Sequence, residues 1–291
     1  MSKKLAATLL AFLVVVTSTS SQPANISQKQ ARKAIARLAG LNLEEDSIDI
    51  DAIDATSPDR ANVSAEVEVV FRAGSKGETE WEIKEVRAGS GNWEEVTSIA
   101  RALNASPSTL GCSNTQPTKL RGAAAKCLVG TLLGVPPPFD GVRIKDLSPV
   151  TLPIGSESSA LIVSFLRVRF VLAMQNGEWK VTDLQCGSGP QVSVAGLQET
   201  LNDVKREQAK NDLKTLSQAL NEFHRDRGIF VVSDKESVLI DHLSPRYLRT
   251  ILRFDPWHNP YHYRGDVSSY SISSGGPDGK LNTQDDLVVT N

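Results

Sequence analysis

The feature that most constrains this chain is a self-match within its first two thirds. Trp81-Glu82-Ile83-Lys84-Glu85-Val86 resembles Trp179-Lys180-Val181-Thr182-Asp183-Leu184, and Gly89-Ser90-Gly91 returns at the same offset as Gly187-Ser188-Gly189. Leu103-Asn104 matches Leu201-Asn202 downstream. Upstream, Leu38-Ala39-Gly40-Leu41 matches Leu132-Leu133-Gly134-Val135 with a small indel between. Similar local sequences adopt similar local structure, so the chain should hold two units of one plan. The expected divisions are a leader over 1–22, repeat units over 23–110 and 111–200, and a third region over 201–291.

Each unit reads as a helix followed by antiparallel strands. Ser27 can cap a helix whose apolar positions are Ala31, Ala34, Ile35, Leu38 and Ala39, ended by Gly40. Strand periodicity follows at Ile48–Ile53, at Val63, Ala65, Val67 and Val69, and at Trp81 and Ile83. The inward parity shifts between Ile83 and Val86, and again between Val181 and Leu184, which predicts a β-bulge in each third strand. The second unit repeats this with a more apolar strand, Leu161 to Leu172. The expected class is α+β, a helix laid on a curved antiparallel sheet. In element order the units resemble cystatin-like or nuclear-transport-factor-like (NTF2-like) folds, by analogy alone.

These units offer little for catalysis. Asp49, Asp51 and Asp54 alternate with isoleucines, as Glu80 and Glu82 alternate with Trp81 and Ile83, so both acidic clusters belong to a solvated face. All four histidines lie at or beyond His224, which excludes a Ser-His-Asp site inside the repeats. Trp81 and Trp179 share the phase of Ile83 and Val181 and belong to the core. A net charge of -2 gives no basic footprint for nucleic acid.

Lys3 and Lys4 precede the uncharged run Leu5–Val16, which is followed by small polar residues. That is the plan of a secretory signal, and the run is shorter than the roughly 20 residues a spanning helix needs. The expected product is extracytoplasmic, periplasmic or secreted, with no transmembrane segment in the mature chain. Such a compartment permits disulfides. Cys112, Cys127 and Cys186 allow three pairings; a helix bearing Cys127 laid over a strand ending at Cys186 favours Cys127–Cys186.

After a long amphipathic stretch from Val194 to Arg227, with a polar interruption over Lys205–Asn211 and a stop at Gly228, comes Phe254-Asp255-Pro256-Trp257-His258-Asn259-Pro260-Tyr261-His262-Tyr263. Tyr270-Ser271-Ile272-Ser273-Ser274-Gly275-Gly276-Pro277-Asp278-Gly279-Lys280 then runs into Gln284-Asp285-Asp286-Leu287. Prolines at 256 and 260 fix two φ angles around a turn, and the later loop gathers Asp278, Asn282, Asp285 and Asp286 among glycines. Hard oxygens so close together suit Ca²⁺, although the spacing is not that of an EF-hand.

These blocks resemble the globular domain of the major pseudopilin of the type II secretion system, the protein G family. The resemblance implies a pseudopilin-like α+β domain with a long helix and a small antiparallel sheet. It also implies calcium held by the side chains of Asp278, Asp285 and Asp286; Asn282 is added from the loop's own spacing. Family pseudopilins carry a prepilin leader and a long apolar helix that builds the filament, and no such helix precedes residue 212 here. The expected function is therefore a non-enzymatic structural or interaction protein. Its domain is calcium-stabilised, and its partners lie among secretion-system or other envelope components. The alternative is a secreted ligand-binding or hydrolytic protein using the repeats or the region of His258 and His262. Those two histidines are separated by Pro260 and cannot share a helical face as a zinc pair does.

Overall fold

A computed structural model describes residues 26–38, 43–76, 80–102, 112, 119–150 and 158–291. The expected leader, the stop at Gly40 and the Leu103-Asn104 match lie outside the described residues. The chain starts with α1 (Gln28–Ala36), opened by a reciprocal cap. The Ser27 hydroxyl accepts from the Gln30 N–H at 3.3 Å, and the Gln30 side chain accepts from the Ser27 N–H at 2.9 Å. The sheet strands follow as β1 (Ile48–Ser57), β2 (Arg60–Lys76), β3 (Glu80–Ala88) and the short β4 (Glu94–Glu95), then α2 (Val96–Ala102). The same order then recurs: α3 (Gly122–Leu132), β5 (Val142–Val150), β6 (Ser159–Gln175), β7 (Glu178–Cys186), β8 (Gln191–Ser193) and α4 (Val194–Arg227).

Among the described residues these strands form one eight-stranded sheet, ordered β4-β3-β2-β6-β7-β8, with β1 on β2 and β5 on β6. The two halves are joined at its centre, where β2 and β6 pair antiparallel from Arg60↔Ala173 to Gly74↔Ser159. The expected bulges are present. The register skips Lys84 in β3, between Ile83 and Glu85, and Thr182 in β7, between Val181 and Asp183. Gly89 and Gly187, one turn beyond, both take a positive φ, 53° and 50°. The central pairing is close to its own image. Arg72 and Val171, the partners at each bulge, pair with Leu161 and Asn62, so an approximate two-fold axis passes through the Val67↔Leu166 pair.

Alternation sends Ala61, Val63, Ala65, Val67, Phe71 and their β6 counterparts to one face, where α1 and α3 cover them as a single core. Trp81 is buried in it and Trp179 packs at its edge. Asp49, Asp51 and Asp54 face solvent. Burying each large aliphatic side chain of this face contributes roughly 1.5–3 kcal/mol.

The cysteine pairing departs from expectation. Cys127 bonds to Cys112, not to Cys186, with 5.5 Å between their Cα atoms, and Cys186 is a free thiol. Helical geometry gives the reason. Ala124, Ala125, Leu128, Val129 and Leu132 form the stripe that α3 buries on the sheet. Cys127 projects from the flank, on the side of Thr131, whose hydroxyl lies 3.7 Å from the Cys112 sulfur.

α4 is one unbroken helix, capped by the Ser193 hydroxyl and ended by Gly228 at φ 74°. The polar stretch does not interrupt it, because Lys205 and Ala209 are themselves buried. The rest of the chain wraps the helix's second half: α5 (Glu236–Leu243), β9 (His262–Gly265), β10 (Tyr270–Ser274) and β11 (Leu287–Thr290), the strands ordered β11-β10-β9. Leu213, Leu216, Leu220 and Phe223 meet Tyr261, Tyr263, Tyr270 and Ile272 in a second core.

Candidate functional site

The candidate site is the knot of loops at one end of the small sheet. Pro256 and Pro260 shape a turn closed by the bridge Phe254↔Pro260, with the Asp255 N–H donating to the Asn259 carbonyl at 2.7 Å. The buried Asp255 carboxylate fills this turn. One oxygen accepts from the N–H groups of Trp257 (3.0 Å) and Asn259 (2.9 Å), and the other accepts from the Ser274 hydroxyl at 2.5 Å. Ser274 in turn accepts from the Gly276 N–H at 3.2 Å. A Cβ on Gly279 would stand 2.9 Å from the Asn259 side chain, so glycine is what lets the second loop close on the first. The two sequence blocks are thus one structural unit.

Tyr261 is buried beneath them and donates to Asp212 at 2.9 Å, which ties the block to α4. Burial, reinforced by Glu95 and Asp255, pushes the Asp212 carboxyl above its ordinary range against the opposing bond from Tyr261. The Tyr261 hydroxyl is pushed up as well, by burial and by the facing Asp212.

The acidic loop lies on the solvent side. The Thr283 hydroxyl reaches Asp285 at 2.7 Å and Asp286 at 3.1 Å, so these two carboxylates converge. Asp286 also accepts from the Asn282 N–H at 2.7 Å, with Asn282 itself at φ 67°. The Asp278 carboxylate instead accepts from the Lys280 N–H at 2.8 Å, and its own N–H lies 3.4 Å from Asp285. The hydrogen bond from Thr283 is the leading cause that holds Asp285 below the ordinary carboxylate range. Two of the four expected donors therefore meet, Asp278 and Asn282 stand beside them, and among the described residues no three His, Cys, Asp or Glu side chains are grouped to hold a metal. The donors are all hard oxygens, the kind Ca²⁺ takes, and Asp285 and Asp286 share the Thr283 hydroxyl.

His258 and His262 do not form a pair. His262 is exposed on β9, and His258 turns to Glu94 of β4 at 3.3 Å. Glu94 is a residue that sequence reasoning missed. Its other oxygen holds the buried Lys205 of α4 at 2.7 Å, and nearby the Trp257 indole N–H donates to Asn202 at 3.0 Å. These contacts, with α2 lying along α4, join the motif loops to the large sheet. The signal for Lys205 was its position: it falls four residues after Leu201 and four before Ala209, on the apolar stripe.

Residues 197–291 match the family model of the type II secretion system (T2SS), protein G. The match starts within the first turn of α4 and takes in both motif loops and the second core. The C-terminal third is thus a protein G-like, pseudopilin-like domain. No curated protein and no solved structure matches the chain. Among the described residues no helix is long and apolar enough to cross a membrane.

Proposed function

We propose that this chain is a non-enzymatic, extracytoplasmic structural protein that presents its pseudopilin-like domain to components of a type II secretion or related pilus-type envelope machine. The observation that carries the reading is the family match over 197–291, on a helix whose first half is polar and docked on the large sheet. A helix committed in that way is held by its own chain and presents its domain as a fixed module. His258 turns to Glu94 and His262 stands apart from it, so the two histidines do not come together as the joint set that the hydrolytic alternative uses. Deleting the chain from its own cell should lower the yield of exoproteins exported by such a machine, and a chain lacking 197–291 should not restore it. An unchanged exoprotein profile in the deletion strain sinks the proposal.

Calcium belongs to the same reading. The ion would be held by Asp285, Asp286 and Asp278, with Asn282 beside them, and it would supply charge neutralisation to a crowded acidic turn. Asp278 would release the Lys280 N–H in the process. A chelator should lower the melting temperature of the C-terminal domain, and added Ca²⁺ should restore it. The double substitution Asp285→Ala, Asp286→Ala should remove that response. An identical melt in EGTA and in Ca²⁺ leaves the loop a self-capped turn.

A further inference from the structure

Where the end of α3 and Ile99 of α2 stand over the centre of the sheet, the described residues leave an apolar pocket of about 230 Å³ that is open on one side. Its walls come from corresponding positions of both halves: Val67 and Leu166 on the axis, Phe71 and Phe170 beside them, Ala88 and Cys186 at the ends of β3 and β7. Apolar side chains that line a pocket forgo part of the stabilisation of burial, and an apolar occupant supplies it. Walls so apolar offer water few of the two or more polar partners that hold an ordered molecule. The pocket is built by matched residues on two strand pairs, so it is not the packing slip of one side chain.

Two polar residues mark one end, the exposed Asn92 and the half-buried Glu94. The Glu94 charge is balanced by Lys205 at 2.7 Å. The other Glu94 oxygen already meets His258 at 3.3 Å, so this end offers the remaining lone pairs of a paired carboxylate and the Asn92 amide, with little net charge. A hydroxyl or amide head can donate to Glu94, whereas an ionised carboxylate would be set against it. At about 230 Å³ the pocket suits one short aliphatic chain rather than a bulky ring system.

We propose that this cavity binds a neutral single-chain amphiphile, an aliphatic tail among the paired apolar walls with a hydroxyl or amide head at Asn92 and Glu94. The inference goes beyond the proposed secretion role and does not depend on it.

Cys186 supplies the test. With Cys112 and Cys127 bonded, it is the free thiol among the three cysteines of the chain, it lines the cavity, and burial raises its pKa to about 11. Labelling of the full oxidised chain by N-ethylmaleimide at mildly alkaline pH, read by intact mass, then reports access to the cavity. Monooctanoylglycerol or 1-octanol at ten times its dissociation constant should slow labelling about tenfold, since only the empty cavity reacts. Octanoate at the same concentration should protect far less, and glycerol not at all. In Ala88→Leu, which fills one wall, the protection should vanish while the melting temperature holds or rises. A labelling rate indifferent to the alcohols, equal protection by octanoate, or protection that persists in a folded Ala88→Leu chain would each overturn the proposal. If Ala88→Leu does not fold, the comparison of alcohol with octanoate on the native chain decides alone.

Discussion

Replacing Asp255 with alanine is expected to destabilise the C-terminal domain by about 3–5 kcal/mol, more than any other single change in the motif loops. The carboxylate is buried and accepts three hydrogen bonds, two from backbone N–H groups of its own turn and one from Ser274 in the strand before the acidic loop. Removing it leaves donors with no acceptor in a place water does not easily reach, and each such orphan costs about 1–3 kcal/mol. It also severs the bond that joins the Pro256–Pro260 turn to β10, so the acidic loop loses its footing. Asp255→Asn keeps one acceptor for the two N–H groups and should recover roughly half of the loss. Calorimetry on the full chain checks this, with the transition of the second core separated from that of the sheet. A C-terminal transition at the native temperature in Asp255→Ala would show that the turn is held by its prolines and aromatic packing alone.

Asp255 also marks how much of this protein was legible in sequence. The block was recognisable because its residues act locally: prolines fix φ, and an aspartate caps the N–H groups two and four positions on. The bulges at Lys84 and Thr182 were legible for the same reason, since a break in a period-two pattern is a local event. What could not be read was long-range. The self-match announced two units but not that β2 would pair with β6, because an antiparallel seam between like strands leaves no mark in either strand alone. The disulfide went astray because the choice between Cys112 and Cys186 depends on which flank of α3 carries Cys127 relative to a sheet the sequence does not orient. In the acidic loop the carboxylates stand out by composition, but their meeting at Thr283 is set by how the loop turns back at Asn282, which composition does not carry.

The junction at Glu94 carries the second large effect. Lys205 keeps only 8% of its side chain in contact with solvent, and its ammonium faces the Glu94 carboxylate at 2.7 Å. Polar composition alone would place this lysine in water; its position on the stripe of α4 instead puts it against β4. Truncating one partner of a buried pair strands the other charge, at a cost of about 3–5 kcal/mol. Glu94→Ala should therefore lower stability by that order, and it also frees His258, which then loses its contact across the junction. The stranded ammonium gains water as α4 lifts away from β4, so the loss should come with faster hydrogen exchange in the first half of α4 while Leu213 to Phe223 stays protected. The double variant Glu94→Leu, Lys205→Met separates this electrostatic account from simple packing. Replacing both charges with apolar groups of similar size is often neutral, so stability should return to near the native value. If the double variant is instead as unstable as Glu94→Ala, the pair contributes through shape rather than charge. The docking of the pseudopilin-like domain would then rest on the contact of α2 with α4 and on the Trp257–Asn202 bond.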